Sequence, residues 1–345
     1  MQDLKNLSLT ELKQQLQQWD IAAFHAAQLF SWIYKKGILD FSQMSDISVL
    51  VQKRLRENFI IQSSSLASKQ LSVDGTEKFL FRLYDGNIIE AALIPAEGRV
   101  TGCVSSQVGC KFSCAFCASG IKGFKRNLSC AEIIDQVLFL KRASRGGLSH
   151  IVFMGTGEPF DNYDAVLKAI RIINTQEGLA IGARKITIST AGVIPGIRRL
   201  ATEQLQVELS VSLHAADGVT RSQLMPINKK YPLLELLQAC RDYVAQTNRQ
   251  ITFEYALIRG VNSSLKDAQK LSTIVAKIGL AKVNLIVANP VKELCLQPPT
   301  KLEVLSFQDF LKKHGVVVTL RRSRGKDIDA ACGQLRLGYE KQHGL

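Results

Sequence analysis

The stretch Cys110-Lys111-Phe112-Ser113-Cys114-Ala115-Phe116-Cys117 sets three cysteines at C-x3-C-x2-C spacing. Three thiolates on one short loop can each hold one iron of a 4Fe–4S cube, and the fourth iron is then left without a protein ligand. Such an iron can chelate a small molecule, which is how S-adenosylmethionine (SAM) is held for reductive cleavage. A structural zinc site is the competing reading. Zinc wants four nitrogen or sulfur ligands, usually in paired C-x2-C or C/H spacing. The sequence has no second pair of that kind, so zinc would have to borrow a remote Cys or His.

Outward from this loop the pattern is that of an α/β protein. Residues 99–105 read as a strand running directly into the cysteines. Beyond them, short apolar runs at 150–154, 185–190, 207–213, 251–258, 283–287 and 316–320 predict strands. Helical periodicity fills gaps between them at 129–143, 163–174, 232–246 and 265–278, and Ser129-x-x-Glu132 is a capping box. Such alternation predicts parallel strands wrapped by helices. The units are too few for an eight-fold barrel, so a partial barrel of roughly six units is expected. Upstream, Asp74-Gly75 and Asp85-Gly86-Asn87 punctuate two hairpins. The first ~60 residues predict helices at 12–19, 24–34 and 47–59, the last capped by Asp46. The expected organisation is a helical module at 1–62, a β-hairpin connector at 63–98 and the barrel with a C-terminal extension at 99–345.

The chain has 345 residues, 46% of them hydrophobic, enough for one large domain with a smaller one appended. No apolar run reaches the ~18–20 residues needed to span a bilayer. The start, Met1-Gln2-Asp3-Leu4-Lys5, lacks the basic, apolar and small-residue segments of a signal peptide. A soluble, cytosolic protein with no membrane partner is expected. The net charge of +14 makes nucleic acid a natural partner, against the plainer alternative of a merely basic enzyme. The eight cysteines are Cys103, Cys110, Cys114, Cys117, Cys130, Cys240, Cys295 and Cys332, and four of them fall within fifteen residues. That clustering points to metal or redox chemistry rather than a secreted disulfide scaffold.

Taken together, several segments resemble the RlmN/Cfr family of radical SAM RNA adenine methyltransferases over nearly the whole chain. They are Cys103-Val-Ser-Ser-Gln-Val-Gly-Cys110, the cysteine trio with the aromatic Phe116 before Cys117, and Gly123-Phe124-x-Arg126-Asn127-Leu128. Further on come Phe153-Met-Gly-x-Gly-Glu-Pro159, Ile188-Ser-Thr190, Ser212-Leu-His214, Met225-Pro-Ile-Asn228, Asn284-Leu-Ile, Asn289-Pro290 and Asp327-Ile-Asp-Ala-Ala-Cys-Gly-Gln-Leu335. Arg324-Gly325-x-Asp327 and Glu158-Pro159 resemble the RlmN branch, which methylates carbon 2 of an adenosine in the peptidyl-transferase centre of 23S rRNA and can also act on tRNA beside the anticodon. The Cfr branch methylates carbon 8. Departures from the family pattern are Thr156, where Met is usual, and Val287-Ala288, where a Pro and an aromatic residue precede the Asn-Pro.

The resemblance implies a division of labour. Carbon 2 of adenine lies between two ring nitrogens and is too electron-poor to attack a methyl cation equivalent, so a radical route is needed and the cofactor carries that step. Two SAM molecules would be used per turnover, with one 4Fe–4S cluster on Cys110, Cys114 and Cys117. One SAM methylates Cys332 by displacement. The other, cleaved by an electron from the cluster, yields a radical that takes hydrogen from that methyl. The carbon radical adds to adenine, Glu90 accepts the ring proton, and Cys103 attacks the sulfur of Cys332. A transient disulfide then releases the product. Gly157, Glu158, Ser189, Ser212, Leu213, His214 and Asn289 would bind SAM. All stand at or just beyond predicted strand ends, and the glycines would let backbone approach the ligand at the barrel mouth. Glu90 and His214, taken alone, could equally be an outward strand residue and a satisfied polar residue. Cys130 and Cys240 fall in helical runs and read as packing residues.

Partners implied are 23S rRNA, tRNA and an electron donor of flavodoxin or ferredoxin type, with a monomeric enzyme. Lys122, Lys125, Arg126, Arg321, Arg322, Arg324 and Lys326 could neutralise phosphates near the target base. The N-terminal module, with Lys53, Arg54 and Arg56, resembles the family's RNA-binding accessory domain. Phe112 and Phe124 could stack on a base, or simply pack in the core. The alternatives left open are carbon-8 methylation, radical chemistry on a protein or small molecule, and a non-catalytic zinc-stabilised RNA-binding module.

Overall fold

The computed structural model describes residues 1–62, 64–145, 147–287, 297–321, 324–325, 327–328 and 333–343. Asn289, Ala288, Cys295, Arg322, Lys326 and Cys332 therefore lie outside the described residues.

The chain opens with a short strand, β1 (Gln2–Asp3), and three helices, α1 (Leu9–Gln17), α2 (His25–Phe30) and α3 (Val49–Asn58), before β2 (Phe59–Ile60) returns to pair in parallel with β1. A π-helical turn at Ser31–Lys35 extends α2. Helix α1 starts at a Ser8–Glu11 capping box. Asp46 does not cap α3. Its carboxylate accepts from Trp32 Nε1, and Ser48 Oγ takes the cap position, accepting from Val51 N at 3.4 Å. This module is fastened to the barrel by buried groups: Lys5 Nζ pairs with Asp3 (2.7 Å) and with Asp135 (3.0 Å), and Ala131 N donates to Asn6 Oδ1.

Next come β3 (Ser64–Leu71), β4 (Glu77–Leu83), β5 (Ile88–Ala96), β6 (Arg99–Cys103) and a small hairpin of β7 (Gln107–Gly109) with β8 (Phe124–Asn127). Then α4 (Cys130–Ala143), β9 (Leu148–Phe153), α5 (Tyr163–Asn174), β10 (Ile186–Thr190), α6 (Ile194–Thr202), β11 (Glu208–Ser212), α7 (Gly218–Leu224), α8 (Leu233–Thr247), β12 (Ile251–Leu257), α9 (Leu265–Ile278), β13 (Ala281–Val287), α10 (Lys301–Lys313), β14 (Val318–Arg321) and α11 (Gln334–Gln342) follow. Among the described residues ten strands form one sheet in the order β14-β13-β12-β11-β10-β9-β6-β5-β4-β3. Pairing is parallel from β6 to β14 and antiparallel from β3 to β6.

The sheet is an open, partial barrel with helices between its parallel strands. Its parallel strands put their C-terminal ends at one mouth. The hairpins of the connector continue the same sheet, because β5 pairs with β6, placing Ala92 opposite Cys103. Residues such as Ile151, Ile188, Leu209, Phe253 and Leu285 are sealed in the core. The opposite strand faces carry Ser210, Glu254 and Asn284, a polar layer inside the barrel. The Glu254 carboxylate accepts from Asn284 Nδ2 (2.9 Å), and burial raises its pKa. No described helix is long and apolar enough to cross a membrane.

Candidate active site at the barrel mouth

The cysteine loop is closed at its base. Gly109 has φ +77°, and a Cβ there would fall 1.9 Å from the Gly123 carbonyl oxygen, so only glycine allows the two ends to meet. Cys110 N donates to that same oxygen. Cys117 N donates to Cys114 O, and Ala115 N donates to Leu224 O (2.9 Å), which ties the loop to the end of α7. Cys110, Cys114 and Cys117 are each half-buried. Burial pushes the Cys110 thiol up to about 12 and the Cys114 thiol well above its ordinary range, with neighbouring thiols adding to the effect. Thiols packed like this ionise when a metal core supplies positive charge. Among the described residues no three donor side chains converge on one point, as a single metal ion would need. A cubane instead takes one thiolate at each of three separate iron corners, and three thiols spread along one loop fit it.

Beside the loop, the turn after β9 is pressed against residues 104–107. A Cβ on Gly155 would lie 2.7 Å from the Val104 backbone, and one on Gly157 (φ +106°) would lie 2.5 Å from Gln107 Cβ. Buried side chains sew this approach together. Ser105 Oγ donates to Glu90 O and accepts from Thr156 N, Gln136 brackets the Ser105 backbone, and Gln107 Oε1 accepts from Glu158 N. Glu158 is buried and accepts from Ala191 N (2.6 Å) and Phe160 N (3.0 Å). Burial pushes its carboxyl up to about 7 against those hydrogen bonds.

Ser189 stands near the end of β10 and Ser212 at the end of β11, both half-buried. Leu213 N donates to Glu254 O, and His214 sits in the left-handed region at φ +54°. His214 Nδ1 accepts from Ala256 N (2.9 Å), so a neutral ring carries its proton on Nε2. Burial holds its pKa down at about 3. The ring packs edge-on against Phe116 of the cysteine loop, with centroids 4.5 Å apart. Both glycine-turn and strand-end candidates therefore flank the cysteine loop.

Glu90, on β5, is 3% exposed and fully engaged. Oε2 accepts from Gly333 N (2.7 Å), Oε1 accepts from Arg336 N (2.6 Å), and Lys78 Nζ lies 3.1 Å from Oε2. The carboxylate thus caps α11, where a helix leaves its first N–H groups unpaired and carries positive partial charge. Gly333, which follows Cys332 in sequence, packs on the cysteine loop: a Cβ there would lie 2.5 Å from Ser119 N. A second tie holds the same C-terminal segment on the β3–β4 turn. Gly325 N donates to Asp74, and Asp327 accepts from Ser72 Oγ and Val73 N. Cys103 ends β6, half-buried, with burial raising its pKa and the charges of Arg321 and Lys78 opposing that rise.

Arg126 is committed elsewhere than the phosphate contact expected of it. Its guanidinium pairs with Asp85 (2.6 Å) and Glu132 (2.8 Å) and clamps the β8 hairpin to α4. Lys122 pairs with Glu340 (3.0 Å) on α11. Lys125 and Arg324 are exposed, as are Lys53, Arg54 and Arg56. Phe112 packs on the core, whereas Phe124 is exposed. Cys130 and Cys240 are buried among apolar side chains. Sequence reading missed Lys78, Gln107, Gln136 and Arg221. Each stands beside other polar residues (Glu77, Ser106, Asp135 and Ser222), so nothing local marks it for burial, although Gln107 lies within the Cys103–Cys110 segment.

A family model described as the radical SAM superfamily matches residues 104–271, and one described as the ribosomal RNA large subunit methyltransferase N-terminal domain matches residues 2–61. A probable dual-specificity RNA methyltransferase RlmN of Clostridium novyi (strain NT) is 45% identical over 340 residues, 98% of this chain and 99% of its own. One from Caldanaerobacter subterraneus subsp. tengcongensis is 46% identical over 343 residues, 99% of this chain and 100% of its own. The crystal structure of a radical SAM methyltransferase from Sphaerobacter thermophilus is similar at a TM-score of 0.92 and 41% identity, covering 97% of this chain and 99% of that one.

Proposed function

Because this chain belongs to the radical SAM superfamily, and within it to the RlmN family of RNA methyltransferases, we propose that it methylates carbon 2 of adenosine in 23S rRNA and in tRNA beside the anticodon. Its cofactors are a 4Fe–4S cluster and SAM. Cys110, Cys114 and Cys117 would hold the cluster, which would supply the electron, and SAM would supply the radical that an electron-poor ring carbon requires.

The chain's own residues do the rest. Cys332 carries the methyl group, Glu90 accepts the ring proton, and Cys103 releases the product by forming a disulfide with Cys332. Gly157, Glu158, Ser189, Ser212, Leu213, His214 and Asn289 hold SAM. Exposed Lys125 and Arg324, with the N-terminal module, meet RNA phosphates. The observation that supports this reading most is the contact of Glu90 with Gly333 and Arg336, which brings the C-terminal cysteine's sequence neighbour onto the cysteine loop. The ties of Gly325 and Asp327 to the β3–β4 turn involve the Arg-Gly-x-Asp residues that resemble the carbon-2 branch.

The test is anaerobic reconstitution, incubation with 23S rRNA and tRNA fragments, and mass spectrometry of the digested nucleosides. 2-Methyladenosine is the expected product. 8-Methyladenosine would assign the chemistry to the other branch, and unmodified RNA with a full complement of iron would sink the reading.

Glu158 gives a pH test of SAM binding. Its carboxyl is raised from 4.5 to about 7 by burial, so the empty site takes up a proton as pH falls through that value. The ammonium group of SAM favours the ionised form. Affinity for SAM is therefore expected to rise as pH climbs from 6 to 8 and then level off, measured by equilibrium dialysis on cluster-loaded protein. Stability of the SAM-free protein runs the other way: the contribution present below 4.5 is lost as pH rises through about 7. Flat affinity from pH 6 to 8 would remove Glu158 from the ammonium contact.

A further inference from the structure

Arg221 lies on α7 with its side chain sealed from solvent. Its Nη2 donates to Ala191 O (2.7 Å) and Ser212 O (3.2 Å), its Nη1 donates to Asn228 Oδ1 (3.1 Å), and Nε has no partner among the described residues. Every one of these acceptors is neutral. Glu158, which shares Ala191 with it, is committed to the Ala191 and Phe160 amides.

Arg221 stands one helical turn before Leu224 on α7. The helix bearing Arg221 is the one whose Leu224 carbonyl receives Ala115 N from the cysteine loop. Asn228, which receives Nη1, belongs to Met225-Pro-Ile-Asn228, a motif with no other role so far.

A buried charge without a counter-ion costs several kcal/mol. A fold that keeps one here needs an anion in the working state. Three thiolates on a cube whose core carries two positive charges sum to one negative charge, and one-electron reduction makes it two.

We propose that Arg221 is the buried counter-charge of the cysteine-bound cluster. It is a positioning residue that favours the reduced form electrostatically while its hydrogen bonds hold the ends of β10 and β11 in place. The proposal rests on Cys110, Cys114 and Cys117 holding the cluster.

The test compares full-length wild type, Arg221→Gln, Arg221→Lys and Asn228→Asp, each reconstituted anaerobically. Reduction is followed by paramagnetic resonance during a redox titration without SAM. Arg221→Gln is expected to lower the ratio of reduced to oxidised cluster about tenfold at fixed solution potential, ~59 mV for one electron. Arg221→Lys keeps the charge and stays near wild type. Asn228→Asp keeps the side-chain size, gives up the Nδ2 bonds to Gly218 O and Ser222 Oγ and places a carboxylate on Nη1, and it shifts the potential downward as well.

An unmoved potential in folded Arg221→Gln or Asn228→Asp overturns the proposal. So does an Arg221→Lys shift as large as that of Arg221→Gln, or a loss of SAM affinity alone, which would assign the charge to the SAM carboxylate. Should Arg221→Gln fail to fold, Asn228→Asp decides. Wild type that takes up no iron–sulfur cluster defeats the cofactor assignment instead, and that is visible before any variant is made.

Discussion

Cys103→Ala protein is expected to accumulate as a covalent adduct with its RNA and to form methylated product only at background level. In the proposed reaction the substrate carbon becomes bonded to the methylene on Cys332, and release requires the Cys103 thiolate to attack the Cys332 sulfur. The carbon–sulfur bond then breaks as the disulfide forms, with its electron pair left on the substrate methylene, which takes up a proton to become the methyl group. Removing Cys103 removes that exit and leaves the earlier steps intact. The position of Cys103 suits this role, since it ends β6 opposite Ala92 and Val152, two residues along β5 from Glu90. Burial disfavours its thiolate, while the charges of Arg321 and Lys78 favour it. A denaturing gel with labelled RNA would show the adduct as a protein-sized shift. Cys332→Ala should give neither adduct nor methylation. Turnover at the wild-type rate by either variant would rule out the two-cysteine route.

Glu90 carries the second large effect, and here two roles can be separated. In Glu90→Ala, Lys78 loses its ion pair with the Glu90 carboxylate and α11 loses its cap. Breaking a buried pair costs about 3–5 kcal/mol, and loss of a cap about 1 kcal/mol. Methylation should fall by about 10²–10⁴ for loss of the proton acceptor, and amide exchange in α11 should rise. Glu90→Gln retains a carbonyl acceptor for one of the two amides and no basic oxygen. It should stay folded with α11 largely protected, yet lose turnover to a similar degree. A Gln variant that methylates normally would leave Glu90 as an anchor only. Both carboxylate oxygens are engaged by Gly333 and Arg336, and a proton taken up by either weakens those bonds, so the first turn of α11 is expected to loosen during the reaction. Hydrogen exchange with and without RNA would detect that release.

Short spans of sequence suffice for part of this chemistry. C-x3-C-x2-C spacing puts three thiols on one loop, Gly155 and Gly157 mark a turn that must approach another backbone, and apolar periodicity marks the barrel strands. These are local properties, dictated by spacing along a few residues and by what a Cβ would strike. Even there the cap of α3 is misleading, because Asp46 and Ser48 lie two residues apart and Trp32 claims the aspartate. Packing, and nothing local, makes Glu90 grip Gly333 from 243 residues away, spends Arg126 on Asp85 and Glu132, and buries Arg221 on the helix whose Leu224 holds the cysteine loop. A charged letter in a sequence has no preferred partner until the fold brings one within ~3 Å and removes the water that would otherwise satisfy it.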